Sequence, residues 1–134
     1  MLVCGEHAAT NMAFQGLNNG KEMGVVDEIT TIKGKKFINC VVHAPLTPYQ
    51  EIPVLPLLTI NMEKGTGVVT SVPSDAPDDY AALKDVRTNN DGIVETYKID
   101  LSLLDNIKPI EIIEIPEYGR STAATLCEER GVKN

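Results

Sequence analysis

Tryptophan is absent from the sequence and phenylalanine occurs only twice. A core must therefore be built from Val, Ile, Leu and Ala. Positive charge is also scarce: 12 Lys and Arg stand against 19 Asp and Glu, for a formal net charge of −7. That balance argues against broad, sequence-independent binding to nucleic acid, which rests on neutralising many phosphates. The one basic cluster, "KGKK" from Lys33 to Lys36, reads as a solvated turn. A narrow contact with a single nucleotide end needs few cations and stays open. The three cysteines, Cys4, Cys40 and Cys127, are far apart, odd in number and free of CxxC spacing. This speaks against a zinc site and a disulfide framework, and fits a reducing compartment. No apolar run approaches the roughly 20 residues of a membrane span. "MLVCGEHAATNMAF" has neither a basic start nor a sustained apolar stretch, so no signal peptide is read there. Internal repeats and low-complexity tracts are missing too.

What remains has the composition of a globular domain: 134 residues, 43% apolar and 23% charged. A chain of this size buries about 65–70% of the surface its unfolded form exposes. Leu2–Cys4 reads as a short strand. "EHAATNMAFQG" reads as a helix, with Glu6 in its first turn, Ala8, Ala9, Met12 and Ala13 on one face, and Gly16 at its end. "LNNGKEMG" is a loop. "VVDEITTI" and "KFINCVV" are β-prone runs either side of a Gly34 turn. "EIPVLPLLTI" is extended, but Pro53 and Pro56 remove ladder donors, which places it at a sheet edge. "GVVTSV" reads as a strand with Val68, Thr70 and Val72 on one face. "PSDAPDDYAALKDV" starts a helix with Asp75 as N-cap and Pro77 in the first turn, ended by "RTNNDG". A short helix is expected near Leu101 to Leu104, a bulged strand at "PIEIIEIP", and a last helix in "RSTAATLCEERG" between Ser121 and Gly131. The predicted class is α+β: a small, mostly antiparallel, barrel-like sheet with peripheral helices.

Few residues are arranged for chemistry. His7 and His43 lie at metal-ligand spacing neither from each other nor from a cysteine, and read as surface or half-buried polar groups. "GTG" at residues 65–67 lacks the ending of a Walker loop and the third glycine of a dinucleotide fingerprint. It reads as a tight turn that also permits close backbone approach by a ligand. The contest lies in Asp75, Asp78 and Asp79. Acids complement the helix dipole in a first turn, which accounts for Asp75 and Asp78. Asp79 lies one step further on, where a carboxylate could hold a cationic group. Local physics alone prefers the helix-start reading.

The segment "GTGVVTSVPSDAPDDYAALKDV" closely resembles the editing (connective polypeptide 1) domain of eukaryotic cytosolic leucyl-tRNA synthetase. "AATNMAFQG", "APLTPYQEIPVLPLLTI", "IEIIEIP" and "YGRSTAATLCEE" resemble it in the same order, and only the loops near 18–24 and 87–108 match poorly. The resemblance implies a domain that hydrolyses tRNA(Leu) charged with norvaline, isoleucine or a similar residue while sparing leucine. A synthetic pocket discriminates one methylene by only about 1–3 kcal/mol, hence a second sieve. It implies water attack on the ester without a metal or cofactor; ATP would serve only the parent synthetase domain. Partners would be the 3′ end of the tRNA and the rest of the synthetase chain, in the cytoplasm and with no membrane. Asp79 corresponds to the aspartate that holds the substrate ammonium. Thr70 and Val72 would line the amino-acid pocket, and Gly65, Thr66 and Gly67 would approach the terminal adenosine. Ser74 and Asp75 would support them. Residues 1–134 would form an editing domain incomplete at its N-terminus, because the family's "RPET"-like threonine-rich strand, which excludes leucine, is not found. No HIGH-like or KMSKS-like motif is present, so leucyl-tRNA synthesis is not expected of these residues. The alternative reading is a non-catalytic β-rich binding module of the same fold; a free-standing deacylase acting in trans is a third.

Overall fold

The computed structural model describes residues 1–132. The chain forms two compact units, Met1–Ile32 with Ile60–Thr70, and Lys33–Thr59 with Ser71–Asn134.

The first unit is built around helix α1, Glu6–Phe14. Glu6 sits in its first turn, and Ala13 is its most buried residue. Ala8, Ala9 and Met12 are half-buried on the same side, as their spacing predicts. Gly16 follows the helix at φ +77°, a left-handed conformation that costs glycine little. The loop after it is organised by buried Asn18, whose side-chain amide donates to the carbonyls of Lys21 (3.1 Å), Glu22 (2.8 Å) and Val25 (3.1 Å).

The second unit holds the apolar core. Strands β1, Val41–His43, and β2, Glu51–Pro53, pair antiparallel, with Val41 opposite Pro53 and His43 opposite Glu51. Backbone bonds from Val54 to Cys40 (2.8 Å) and from Ala44 to Gln50 (3.1 Å) extend the pairing at both ends. Helix α2, Pro77–Thr88, turns Ala81, Ala82, Leu83 and Val86 inward. It ends at Asn89, which is left-handed (φ 52°). The Asn89 side-chain oxygen accepts the Val94 N–H at 3.0 Å, at the start of helix α3, Ile93–Tyr97. A 3-10 turn follows at Leu101–Leu104, where a short helix is expected. Leu83, Val86, Ile93, Ile99 and Leu104 form the core cluster. The hairpin is tied on by Asn39, whose side chain donates to the Lys98 carbonyl (2.8 Å) and accepts the Asp100 N–H (3.0 Å). Helix α4, Thr122–Arg130, begins after Ser121 and ends at left-handed Gly131.

The α+β class with antiparallel pairing and peripheral helices stands, but the sheet has two strands and does not close. The strands expected at Leu2–Cys4 and over 25–32, 67–72 and 109–116 are not formed. Strand propensity is local, whereas a ladder needs a second strand, and among the described residues only β1 and β2 supply one to each other. In the last of these runs the only pairing is a single bridge between Ile115 and Gly119. The "KGKK" cluster is an exposed 3-10 turn, Gly34–Lys36, as its composition suggests.

Candidate functional site

The candidate residues fall into the two units. In the first unit, Gly65, Thr66 and Gly67 lie in a turn that begins at Asn61, whose backbone and side-chain oxygens accept from Lys64 (3.1 Å) and Glu63 (2.9 Å). Both glycines are left-handed, Gly65 at φ +67° and Gly67 at φ +75°. A Cβ on Gly67 would lie 2.6 Å from the Met62 sulfur, the mobile end of a half-exposed side chain, so it is the positive φ rather than packing that favours glycine there. A Cβ on Gly65 would meet nothing, and its backbone stays approachable. The Thr66 hydroxyl donates to the Val68 carbonyl (2.7 Å), and the Thr66 carbonyl accepts the Gly5 N–H (2.7 Å). Thr66 thus orders the turn with both its side chain and its backbone. Thr70 is exposed at the end of this unit.

His7 pairs with Glu63 across 2.9 Å, with both side chains exposed. His43 is exposed on β1. Both match the surface reading of the histidines. Among the described residues, no group of three or more His, Cys, Asp or Glu side chains could hold a metal ion.

In the second unit, Val72, Ser74, Asp75 and Asp79 form one small structure. Val72 accepts from the N–H groups of Asp75 (3.2 Å) and Ala76 (2.9 Å), closing a tight turn. The Val72 N–H donates to Asp79 Oδ2 at 2.6 Å. Asp79 is at the third position of α2, where a capping box would direct its carboxylate to the N–H of the helix's own N-cap. It reaches past that residue to Val72 instead. The N-cap is Ala76 rather than the expected Asp75, with Pro77 as the first helical residue. The Asp75 Oδ2 instead accepts from the Ser74 hydroxyl at 2.6 Å. Ser74 is almost fully buried, and its carbonyl accepts the Ala123 N–H of α4 at 3.1 Å. Ser74 and Asp75 therefore shape the turn.

Asp79 is half-buried. One oxygen is fixed by a backbone donor, and Oδ1 has no protein partner among the described residues. A carboxylate held this way is oriented and can accept a charge-assisted bond from an incoming cation, such as an ammonium group.

Sequence reasoning missed the residues beside it. Tyr80 and Lys84, one turn apart on α2, both meet Glu128 on α4, at 2.8 Å each. The Lys84 ammonium, and then the Tyr80 hydroxyl, hold the Glu128 carboxyl below its ordinary range. Lys84 is raised in turn by the bond to Glu128. The Tyr80 phenol is raised first by burial and then by Glu128. Cys127, one residue away, is fully buried, and burial pushes its thiol up. A protonated, buried thiol is inert as a nucleophile; it donates weakly to the Pro77 carbonyl at 3.7 Å. The only sequence signal for this cluster is the four-residue spacing of Tyr80 and Lys84, which marks a shared face without naming what faces it.

No protein-family model matches the chain. Among curated proteins, it is 41% identical over all of its 134 residues to the cytoplasmic leucine–tRNA ligase of Pongo abelii. It is 37% identical over 129 residues to that of Saccharomyces cerevisiae. It spans 11% of the length of each. Among solved structures, it resembles the crystal structure of GlLeuRS-CP1 with a TM-score of 0.90 and 54% identity, over 97% of this chain and 47% of that one. It also resembles a P. falciparum cytosolic leucyl-tRNA synthetase editing domain, with a TM-score of 0.83 and 31% identity, over 98% of this chain and 43% of that one.

Proposed function

The chain is a homologue of the editing-domain segment of cytosolic leucyl-tRNA synthetases, and from that premise we propose that it acts in proofreading: hydrolysis of the ester linking a wrong amino acid to tRNA(Leu). Residues 1–134 are read as part of an editing domain, working with the rest of a synthetase chain in the cytoplasm. The substrates are tRNA(Leu) esters of norvaline, isoleucine or a similar residue.

The observation that carries this reading is Asp79, a half-buried carboxylate fixed by the Val72 N–H with its second oxygen unpartnered among the described residues. An aminoacyl ester carries an ammonium group at a fixed distance from the scissile carbonyl, so anchoring that group orients the carbonyl for attack. Hydrogen bonds to charged groups are worth about 1.5–3 kcal/mol, or roughly 10- to 100-fold in binding. Thr70 and Val72 are assigned to the amino-acid pocket, and Gly65, Thr66 and Gly67 to the approach of the terminal adenosine. Gly65, with its open backbone, is the best suited of the three. Ser74 and Asp75 support the turn. The attacking water needs placement and polar stabilisation of the developing oxyanion, and no step in this scheme calls on a metal or cofactor within the segment. ATP is assigned to the synthetic domain alone.

The test is deacylation of norvalyl-tRNA(Leu) by a synthetase carrying this segment, with Asp79→Ala beside it. The expected result is a loss of at least about tenfold in kcat/KM for the variant. Equal rates would remove Asp79 from the reaction, and no deacylation by either protein would favour the non-catalytic binding module.

A further inference from the structure

Helix α4 holds the turn before Asp79, and the helix α2 that carries it, through contacts from Ala123, Cys127 and Glu128. At the start, the Ala123 N–H donates to the Ser74 carbonyl (3.1 Å). In the middle, the buried Cys127 thiol meets the Pro77 carbonyl (3.7 Å). Further along, Glu128 accepts from Tyr80 and Lys84, at 2.8 Å each. Tyr80 is the residue next to Asp79, so the Glu128 contact acts on α2 immediately after the carboxylate. On the other side, Val72 fixes the carboxylate itself. Asp79 thus sits between a bond to its own side chain and a clamp on its neighbour.

We propose that Glu128 is a positioning residue for the Asp79 carboxylate, acting through Tyr80 and Lys84 to keep Oδ2 on the Val72 N–H and Oδ1 aimed at the ammonium of the substrate. The structural half stands on the hydrogen bonds alone, and the catalytic half rests on the editing function proposed above. Glu128 does not touch the substrate in this assignment. Its effect is on angle and reach, and a misplaced charged partner loses most of the benefit of a charge-assisted bond.

Two measurements separate the halves. The first needs no ester chemistry: the chemical shift and hydrogen exchange of the Val72 amide, read by NMR in the 134-residue chain. In Glu128→Ala the Val72 signal should move toward that of Asp79→Ala and exchange faster, while the amides of Ile99 and Leu104 in the core keep their shifts. Glu128→Gln, which keeps an acceptor for the Tyr80 hydroxyl, should lie nearer the parent. An unmoved Val72 signal in Glu128→Ala overturns the proposal. So does movement of Val72 only together with the core amides, because that is general loosening.

The second measurement uses a synthetase carrying the segment and compares norvalyl-tRNA(Leu) with the matching α-hydroxy ester, which lacks the ammonium group. Glu128→Ala should lower kcat/KM about tenfold for the amino ester, through weakening of the charge-assisted bond to its ammonium, and leave the hydroxy ester close to the parent. Equal losses on both esters overturn the positioning role. If Val72 responds as expected and the parent hydrolyses neither ester, the editing function fails while the clamp on Asp79 stands.

Discussion

The two units solve the problem of order differently. In the second, Lys33–Thr59 with Ser71–Asn134, Val86 is 1% exposed, Leu104 5% and Ile99 6%, and they share one apolar cluster. In the first, Met1–Ile32 with Ile60–Thr70, the buried residues are Gly5, Ala13 and Asn18, while Leu17, Met23, Ile29, Val68 and Val69 face outward. Its turns are held by side chains bonded to backbone: Asn18 on three carbonyls, Asn61 on Glu63 and Thr66 on Val68. Burial of apolar surface stabilises one region, and local polar closure shapes the other. The Asp79 turn belongs to the second unit, where hydrogen bonds to Val72 and from α4 hold it beside a helix anchored in the apolar core.

That contrast is breakable by mutation. Leu104→Ala removes a buried side chain from the core cluster and should cost about 2–5 kcal/mol, read as a fall in the urea midpoint. The same truncation at Leu17, which is 67% exposed, should stay within about 0.5 kcal/mol. Equal losses at the two sites would show that the first unit hides a core of its own. Asn18→Ala removes a donor shared by three carbonyls, of which Glu22 keeps the Val25 N–H, and should cost about 1–3 kcal/mol. Its signature is faster exchange of the Lys21 and Val25 amides, with the amides of Leu83 and Val86 unchanged.

The smallest effect is expected from pH. Glu128 titrates below its ordinary value of 4.5 in the folded protein. Its contribution is therefore present above that value and is lost as pH falls through the lowered one. Lys84 and Tyr80 titrate above their ordinary 10.5 and 10.0. Their contribution is present below those values and is lost as pH rises through the raised ones. The stability difference between the parent and Glu128→Gln should thus be flat near neutrality and shrink at both extremes. All three groups keep contact with solvent, so the difference stays small and falls with salt. A difference that persists unchanged at low pH would show that the carboxylate charge is irrelevant to the clamp.

The sequence makes the helices legible for local reasons. Glu6, Pro77 and Ser121 stand at helix starts, and Gly16, Asn89 and Gly131 adopt the left-handed conformations that follow helix ends. The two paired strands lie in runs that read as extended, "KFINCVV" and "EIPVLPLLTI", whereas "GVVTSV" and "PIEIIEIP" have the right residues for strands but no paired neighbour among the described residues. Asp79 stood out by position, yet its partner did not. The capping-box pattern directs a third-position acid to its own N-cap, and only the folded turn shows that Val72 takes that place. Glu128 was invisible for another reason. Its partners lie 44 and 48 residues away, and nothing in a single sequence joins two helix faces.

The central claim is that Asp79 anchors an amino group, and its most direct measurement is a titration of the chain with an amide-linked norvalyl adenosine and with its des-amino counterpart, followed by NMR. The account predicts shifts at Val72 and Asp79 with the amine-bearing compound, at an affinity at least about tenfold above that of the des-amino compound. Equal affinities for the two compounds, or responses that bypass Val72 and Asp79, would contradict it.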